Sequence, residues 1–364
     1  PWNSQNNLVL MGLQGKNLQG QNLPASNLVF LIDVSGSMAQ ANKLPLVKES
    51  FKMMANQLRA QDRISVVVYA GSAGLVLDSA SGADKETVLS ALDRLQAGGS
   101  TAGGQGIELA YLIAQKNFIR GGNNRVILAT DGDFNVGVSS DDELVRLIEG
   151  KRNNGIFLSV LGFGMGNYKD SKMEKLADKG NGTYAYIDTL NEAQKVMVNE
   201  LGSMLYTIAK DVKIQVEFNP AQVKAYRLVG YENRLMAKED FNDDTKDAGD
   251  LGAGHTVTAL YEIVPASAFW NPTPVGNVDP LKYQATKVKG SSELMTVKLR
   301  YKEPNGFRSR LITRELKQSM IGWQFVSNNF RFASAVAEFG QLLRNSPYKG
   351  NASYQSLIKR AQGA

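Results

Sequence analysis

With 364 residues, 43% hydrophobic and 21% charged, the chain has an ordinary globular composition, enough for two domains or for one large domain with an extension. No apolar run approaches the roughly 18 residues of a membrane-crossing helix, and the absence of cysteine excludes disulfides, thiolate metal sites and cysteine nucleophiles. The net charge of +6 is uneven: residues 281–364 hold 15 Lys/Arg against 4 Asp/Glu, and the rest of the chain is net acidic. A solvated face is the plainest reading. Contact with an anionic surface through 281–364, or with the chain's own acidic part, are the sharper ones. Nucleic acid is not expected, because the aromatics there do not interleave with the charges as a stacking groove requires. The polar opening residues show neither the charged nor the apolar region of a secretory signal. Pro1 is not a native start, so an upstream segment, with a targeting segment as one candidate, is expected.

In chain order, Leu8–Leu13 alternates enough to be a strand. From about 27 to 209, strand-like runs at Asn27–Asp33, Arg63–Ala70, Arg125–Asp131, Ile156–Phe163 and Thr183–Ile187 are nearly continuous in Val, Ile and Leu, as strands covered on both faces are. Gly74–Asp78 reads as a short edge partner. Helical patterns lie between them: Leu44–Arg59, Asp84–Leu95, Gly104–Ile119, a helix to about Lys151 opened by a Ser140/Glu143 capping box, and Asn191–Lys210. Strands alternating with helices predict a doubly wound, mostly parallel sheet. Near Lys210 the period changes. Val212–Phe218, Lys224–Tyr231, Thr256–Val264, Leu294–Tyr301 and Arg308–Leu316 alternate polar and apolar residues, which predicts a second, β-rich, sandwich-like domain. Pro265–Pro280 is a long loop, and Phe330–Arg344 a terminal helix with Phe332, Val336, Phe339 and Leu343 on one stripe. The expected division is 1–23, a strand segment joining the β-domain; 24–209, the α/β domain; and 210–364, the β-rich domain ending in helices.

Functional groups in an open α/β sheet collect at the carboxyl ends of strands. Asp33, Ser35 and Ser37 follow the first long strand in "LVFLIDVSGSM", Asp131 ends another in "ILATDGD", and Thr101 in "AGGSTAGG" precedes a helix. Two carboxylates and three hydroxyls on one rim, without His or Cys, are hard ligands suited to Mg²⁺, with Mn²⁺ or Ca²⁺ as alternatives. An open position on such a cation accepts a carboxylate from another molecule. That is the chemistry of adhesion, not of turnover.

D-x-S-x-S, the Thr of "GGST" and the Asp of "ATDG", in this order over about residues 24–209, resemble the metal-ion-dependent adhesion site of von Willebrand factor type A domains. The resemblance implies a single cation held directly by Ser35, Ser37 and Thr101, with Asp33 and Asp131 bound directly or through water. The stretches "GFGMGNYKDSKMEKLADKGNGTYAYID", "DAGDLGAGHTVTALYEI" and "NNFRFASAVAEFGQLLR" further resemble bacterial members of the YfbK-like group, which carries a C-terminal extension like residues 210–364.

Other chemistries fit less well. "GGSTA" lacks the last glycine of a nucleophile elbow. The only histidine, His255, lies outside the expected α/β domain. A dehalogenase-like phosphatase needs a second Asp where Ser35 stands. "GFGMGN" fails as a dinucleotide loop at Asn167, and "DGDFNVG" fails as a calcium loop at Val136. Asp133 and the acidic stretch 239–250 stay open as sites for a second ion. The leading expectation is therefore an extracytoplasmic, metal-dependent protein-binding module, not an enzyme, whose partner presents Asp or Glu to the ion, with Met38, Phe134 and Val136 as an apolar collar. The alternative is a structural component of a cell-envelope assembly with an idle or internally satisfied metal site. A metal-dependent hydrolase ranks last, for want of a base beside the ion.

Overall fold

The computed structural model describes residues 2–18, 23–100, 103–132, 141–165, 170–231, 234–268, 291–304, 306–317 and 321–363. They form two compact units: Gly15–Lys210 with Gly249–His255, and Pro1–Gln14 with Asp211–Ala248 and Thr256–Ala364. The first strand, β1 (Asn7–Gln14), belongs to the second of these.

The α/β unit contains β2 (Ser26–Asp33), α1 (Leu44–Gln57), β3 (Arg63–Tyr69), β4 (Ala73–Ser81), α2 (Lys85–Asp93), α3 (Gly103–Lys116), β5 (Asn123–Thr130), α4 (Asp141–Asn153), β6 (Ile156–Phe163), α5 (Asp170–Lys179), β7 (Tyr184–Ile187), α6 (Leu190–Gln194) and α7 (Leu201–Leu205). The sheet order is β4-β3-β2-β5-β6-β7, parallel except for β4, which runs antiparallel to β3. Every residue of β2 is buried. Its alternate side chains enter two cores: Leu28, Phe30 and Ile32 pack with α1 and α2, whereas Val29 and Leu31 pack with α3, α4 and α5. Burial of each such side chain stabilises the fold by about 1.5–3 kcal/mol, so β2, like the equally buried β5 beside it, is firmly anchored in the sheet. The chain leaves it toward β3 on one side and toward β5 on the other, which makes its carboxyl end the switch point where such sheets place their functional groups.

The helical pattern after residue 190 ends earlier than the sequence implies. A π-helical turn, Lys195–Asn199, separates α6 from α7, and β8 (Thr207–Phe218) has already begun at Thr207. The β-branched Thr207 and Ile208 suit an extended backbone better than a helix. After β9 (Val223–Val229), the two-residue strand β10 (Leu251–Gly252) pairs with the start of β8. Residues 249–255 thus return to the α/β unit, although the sequence leaves them in the C-terminal region, and they bring His255 with them.

In the β unit, β1 runs antiparallel to β11 (Thr256–Pro265) from Asn7↔Ile263 to Gln14↔Thr256, and β9 lies on the other side of β11. The far part of β8 joins β12 (Glu293–Lys302) and the exposed edge strand β13 (Ser309–Lys317) in a second sheet. Val9, Val223 and Ile263 from one sheet meet Phe218, Leu294 and Met295 from the other, so the core is that of a sandwich. α8 (Asn328–Leu343) and α9 (Tyr354–Gln362) complete the unit. Among the described residues, no helix is long and apolar enough to cross a membrane.

A buried carboxylate organises this unit. Glu262 on β11 accepts hydrogen bonds from Trp2 Nε1 (3.1 Å), Asn6 Nδ2 (2.7 Å) and Arg227 Nε (2.8 Å). Arg227 also donates to Gln341 Oε1 of α8 at 2.9 Å, and its guanidinium lies 4.4 Å from the centre of the Tyr348 ring. Removing one partner of a buried ion pair strands the other, at a cost of roughly 3 kcal/mol. Glu262→Ala is expected to destabilise the β unit by that amount. Among the described residues, both tryptophans, Trp2 and Trp323, fall within it, so tryptophan fluorescence during denaturant unfolding reads it. An unchanged fluorescence midpoint would contradict this role for Glu262.

Candidate functional site

Asp33 is the last residue of β2, and its side chain is wholly buried. Its Oδ1 accepts the Ser35 N–H at 2.9 Å, and its Oδ2 accepts the Tyr69 hydroxyl at 3.2 Å. Tyr69 ends the neighbouring β3. It is held from behind by α3, where a Cβ on Gly106 would lie 2.8 Å from Tyr69 Cβ. Glycine is therefore required at 106 for α3 to reach its place. Ser35 and Ser37 follow on a short 3₁₀ turn, Gly36–Ala39, with their hydroxyl oxygens 3.1 Å apart. Met38 of that turn is buried in the α1-side core, so it is not part of a partner-facing collar. Its apolar side chain fills the space beneath the turn, while Ser35 is buried beside Asp33 and Ser37 is exposed.

The "AGGSTAGG" loop is tied to the same place. The Gly98 N–H donates to Val34 O at 2.7 Å, and the Gly36 N–H donates to Gly99 O at 3.0 Å. Thr101 itself lies outside the described residues, as do Asp133, Phe134, Val136 and Ser140. Asp131 follows β5, the other neighbour of β2, and its charge acts on Asp33. The structure therefore brings Asp33, Ser35, Ser37 and Asp131 to one rim, with Gly98 and Gly99 beside them.

The electrostatics of the two carboxylates differ. Asp33 is pushed up to about 6, first by burial and further by Asp131, while the bonds from Ser35 and Tyr69 act in the opposite direction. Among the described residues, Asp33 forms no ion pair with Lys or Arg. Asp131, by contrast, accepts a hydrogen bond from Lys43 Nζ at 2.9 Å, and both side chains are nearly buried. Lys43 sits just before α1 and packs against Gly164 beyond β6, where a Cβ would lie 2.6 Å from Lys43 Cε. Burial raises the Tyr69 hydroxyl well above its ordinary range, so it stays a donor to Asp33.

Tyr69 and Lys43 were not singled out by the sequence. A tyrosine ending an apolar strand reads as core, and a lysine before a helix reads as solvated. The signal for Tyr69 is positional, since it ends the strand that pairs with β2 (Asp33↔Tyr69). The acidic stretch 239–250 is drawn into the β unit's own ion pairs. Asp244 accepts from Arg300 Nη2 at 3.0 Å, and Lys302 Nζ donates to Asp211 Oδ2 at 2.6 Å. Part of the basic charge of 281–364 thus meets acidic residues of the same unit.

A parallel sheet whose switch point carries D-x-S-x-S beside a second carboxylate defines a von Willebrand factor type A domain. Residues 27–199 match the family described as "von Willebrand factor type A domain", and residues 203–364 match "Uncharacterized protein YfbK, C-terminal". The chain is 45% identical over 368 residues to Uncharacterized protein YfbK of Escherichia coli (strain K12), covering 100% of this chain and 62% of that protein. It is 29% identical over 170 residues to Uncharacterized protein sll0103 of Synechocystis sp., covering 46% and 39% respectively. Among solved structures, von Willebrand factor type A from Catenulispora acidiphila aligns with a TM-score of 0.48 at 17% identity, over 99% of this chain and 88% of that one. The chain thus carries a von Willebrand factor type A domain over residues 27–199, a kind of domain commonly used for protein interaction, followed over residues 203–364 by a segment that matches the YfbK C-terminal family. It spans less than two thirds of the length of these two curated relatives.

The raised Asp33 carboxyl has a consequence for stability. The folded protein holds this proton more tightly than the unfolded chain does. The cost of ionising Asp33 is therefore absent below its ordinary value of 3.8, sets in as pH rises toward about 6, and is complete above that. It is on the order of 2–3 kcal/mol. In chelator-treated protein, Asp33→Asn is expected to raise the stability of the α/β unit at about pH 8 by most of that amount, and to leave it unchanged at about pH 4. Thermal unfolding followed by far-ultraviolet circular dichroism reads the difference. A variant destabilised equally at both values would show that hydrogen bonding, not burial of charge, governs this position.

Proposed function

We propose that the chain is a non-catalytic, extracytoplasmic, metal-dependent protein-binding module. Asp33, Ser35, Ser37, Thr101 and Asp131 would hold one divalent cation of the Mg²⁺ class. The observation that carries this reading is the Asp33 carboxylate, buried among hydroxyl and amide donors and ion-paired with no Lys or Arg among the described residues. The donor set fits such an ion. It is made of oxygen alone and it carries only two negative charges. A hard cation that keeps some of its waters suits two carboxylates and a few hydroxyls better than an ion needing a full protein cage does. Bound there, it would offer an electrophilic position to a carboxylate of the partner protein. Ser35 and Ser37 stand at the rim to orient it, while Tyr69 and the Ser35 amide fix the Asp33 carboxylate in one direction. Nucleic acid is not the partner on this reading.

One observation favours the second reading, a structural component whose site is internally satisfied. Lys43 already neutralises Asp131. The ammonium competes with a divalent cation for the same carboxylate, so it sets a threshold for metal uptake. Calorimetric titration with Mn²⁺ is expected to show one site in the parent chain, loss of binding in Asp33→Asn, and binding about tenfold tighter in Lys43→Met, a difference of about 1.4 kcal/mol. A parent chain that takes up no Mn²⁺ while Lys43→Met does would favour the structural reading. Unchanged binding by Asp33→Asn would sink the site. In the same frame, capture of an Asp- or Glu-bearing partner should be abolished by chelator and by Thr101→Ala, yet only mildly weakened by salt. An exposed ionic contact, by contrast, is screened within about 8 Å at physiological ionic strength. Capture that survives chelator and fails in salt would move the binding role to residues 281–364.

A further inference from the structure

α8 turns the usual polarity of a surface helix inside out. Its outward stripe is Phe332, Val336, Phe339 and Leu343, which are 56, 54, 44 and 63% exposed. The spacing of four, three and four residues places all of them on one face, and beyond Asn329 in the first turn that face contains no polar side chain. The inward face holds Ser334, Ala335, Glu338 and Gln341. This is not loose packing, because the polar face is held by specific bonds. Glu338, wholly buried, pairs with Arg360 of α9 and accepts the Ser356 hydroxyl at 3.3 Å, and Gln341 accepts Arg227 Nη2 at 2.9 Å. The helix cannot roll its apolar side inward without stranding the buried Glu338 and the Arg227 guanidinium. The apolar surface continues through the exposed Ile321 and Phe325 before α8, and through Tyr354 and Ile358 on α9.

The charge around this surface has one sign. Residues 321–363 carry Arg331, Arg344, Lys349, Lys359 and Arg360, and their one acidic residue is the buried Glu338. We propose that the α8–α9 face is a docking surface for an anionic lipid bilayer. Phe332, Val336, Phe339 and Leu343 would enter the headgroup boundary, with the exposed Arg344 and Lys359 at the level of the phosphates. Aromatic and aliphatic side chains on one helix face, bordered by Lys and Arg, are the composition of helices that lie in a membrane interface, and anionic lipids attract each cation near the surface. A second copy of the chain is disfavoured, because pairing two such faces would bring rims of the same charge together.

The test is flotation of the full chain with phosphatidylcholine vesicles prepared with and without phosphatidylglycerol, alongside its tryptophan fluorescence. Trp323 packs on Phe330 at the start of α8, with 6.3 Å between ring centroids, and reports the region. Binding to the phosphatidylglycerol vesicles with a blue-shifted emission is expected. It should fall about tenfold in Phe339→Gln/Leu343→Gln with circular dichroism unchanged, fall also in Arg344→Gln/Lys359→Gln, weaken with salt and persist in chelator. Indifference to chelator separates this surface from the metal rim. A parent chain that stays unbound, or binding undiminished by the Phe339/Leu343 variant, overturns the proposal. A dimer that forms with concentration and is lost in that variant overturns it in favour of a second copy. Saturable binding of an acidic amphipathic peptide, with no vesicle binding, overturns it in favour of a protein partner.

Discussion

A carboxylate held in the core at the end of β2 is the constraint on which the site depends. Burial of an ionised group is costly unless it is bonded and paired, and the Asp33 carboxylate has bonds from Ser35 and Tyr69 but is pushed up to about 6. Everything that makes β2 stable makes this carboxylate less so. The strand is buried along its whole length, flanked by two parallel neighbours and covered by helices on both faces. The stable strand and the bonds from Ser35 and Tyr69 fix the direction of the carboxylate, and the burial leaves it with an unmet demand for positive charge. A position built in this way favours a small, highly charged ligand over a large or neutral one.

The second carboxylate shows how that demand is moderated. Asp131 lies close enough to raise Asp33 further, yet Lys43 takes up its charge. Without the lysine, two adjacent carboxylates would repel each other in the core. With it, Asp131 is already paired, and on the function proposed above a metal ion would have to displace an ammonium to reach it. Whether the rim works as an adhesion site or as a quiet structural element therefore depends on the balance between Lys43 and the ion, more than on the D-x-S-x-S serines. The conformational demands are met by small residues at close approaches: Gly106 admits Tyr69, and Gly164 admits Lys43.

The β unit applies the same principle to a different end. Glu262 gathers Trp2, Asn6 and Arg227, and Arg227 reaches on to Gln341, so the N-terminal residues, the sheet and α8 are joined by one polar network. Because the network needs the polar face of α8, the apolar face is left outside. The periodicity of Phe332, Val336, Phe339 and Leu343 made the helix and its stripe legible from the sequence, but a stripe carries no sign that says which way it points. Only the placement of Glu338 and Gln341 decides it. The same limit governs the rim. Asp33, Ser35 and Ser37 stood out because oxygen ligands at the end of a continuous apolar run have few structural uses. Tyr69 and Lys43 matter through partners 36 and 88 residues away, and no local pattern records that. The return of residues 249–255 to the α/β unit rests on a two-residue strand, too short to show any period.

The most direct measurement is a crystal of the chain grown with Mn²⁺, with diffraction recorded near the manganese absorption edge. The expected result is one anomalous peak at the carboxyl end of β2, within inner-sphere reach of the Ser35 and Ser37 hydroxyl oxygens. An empty rim with Lys43 still bonded to Asp131, or manganese found only at the acidic stretch 239–250, would contradict a metal-dependent role for Asp33.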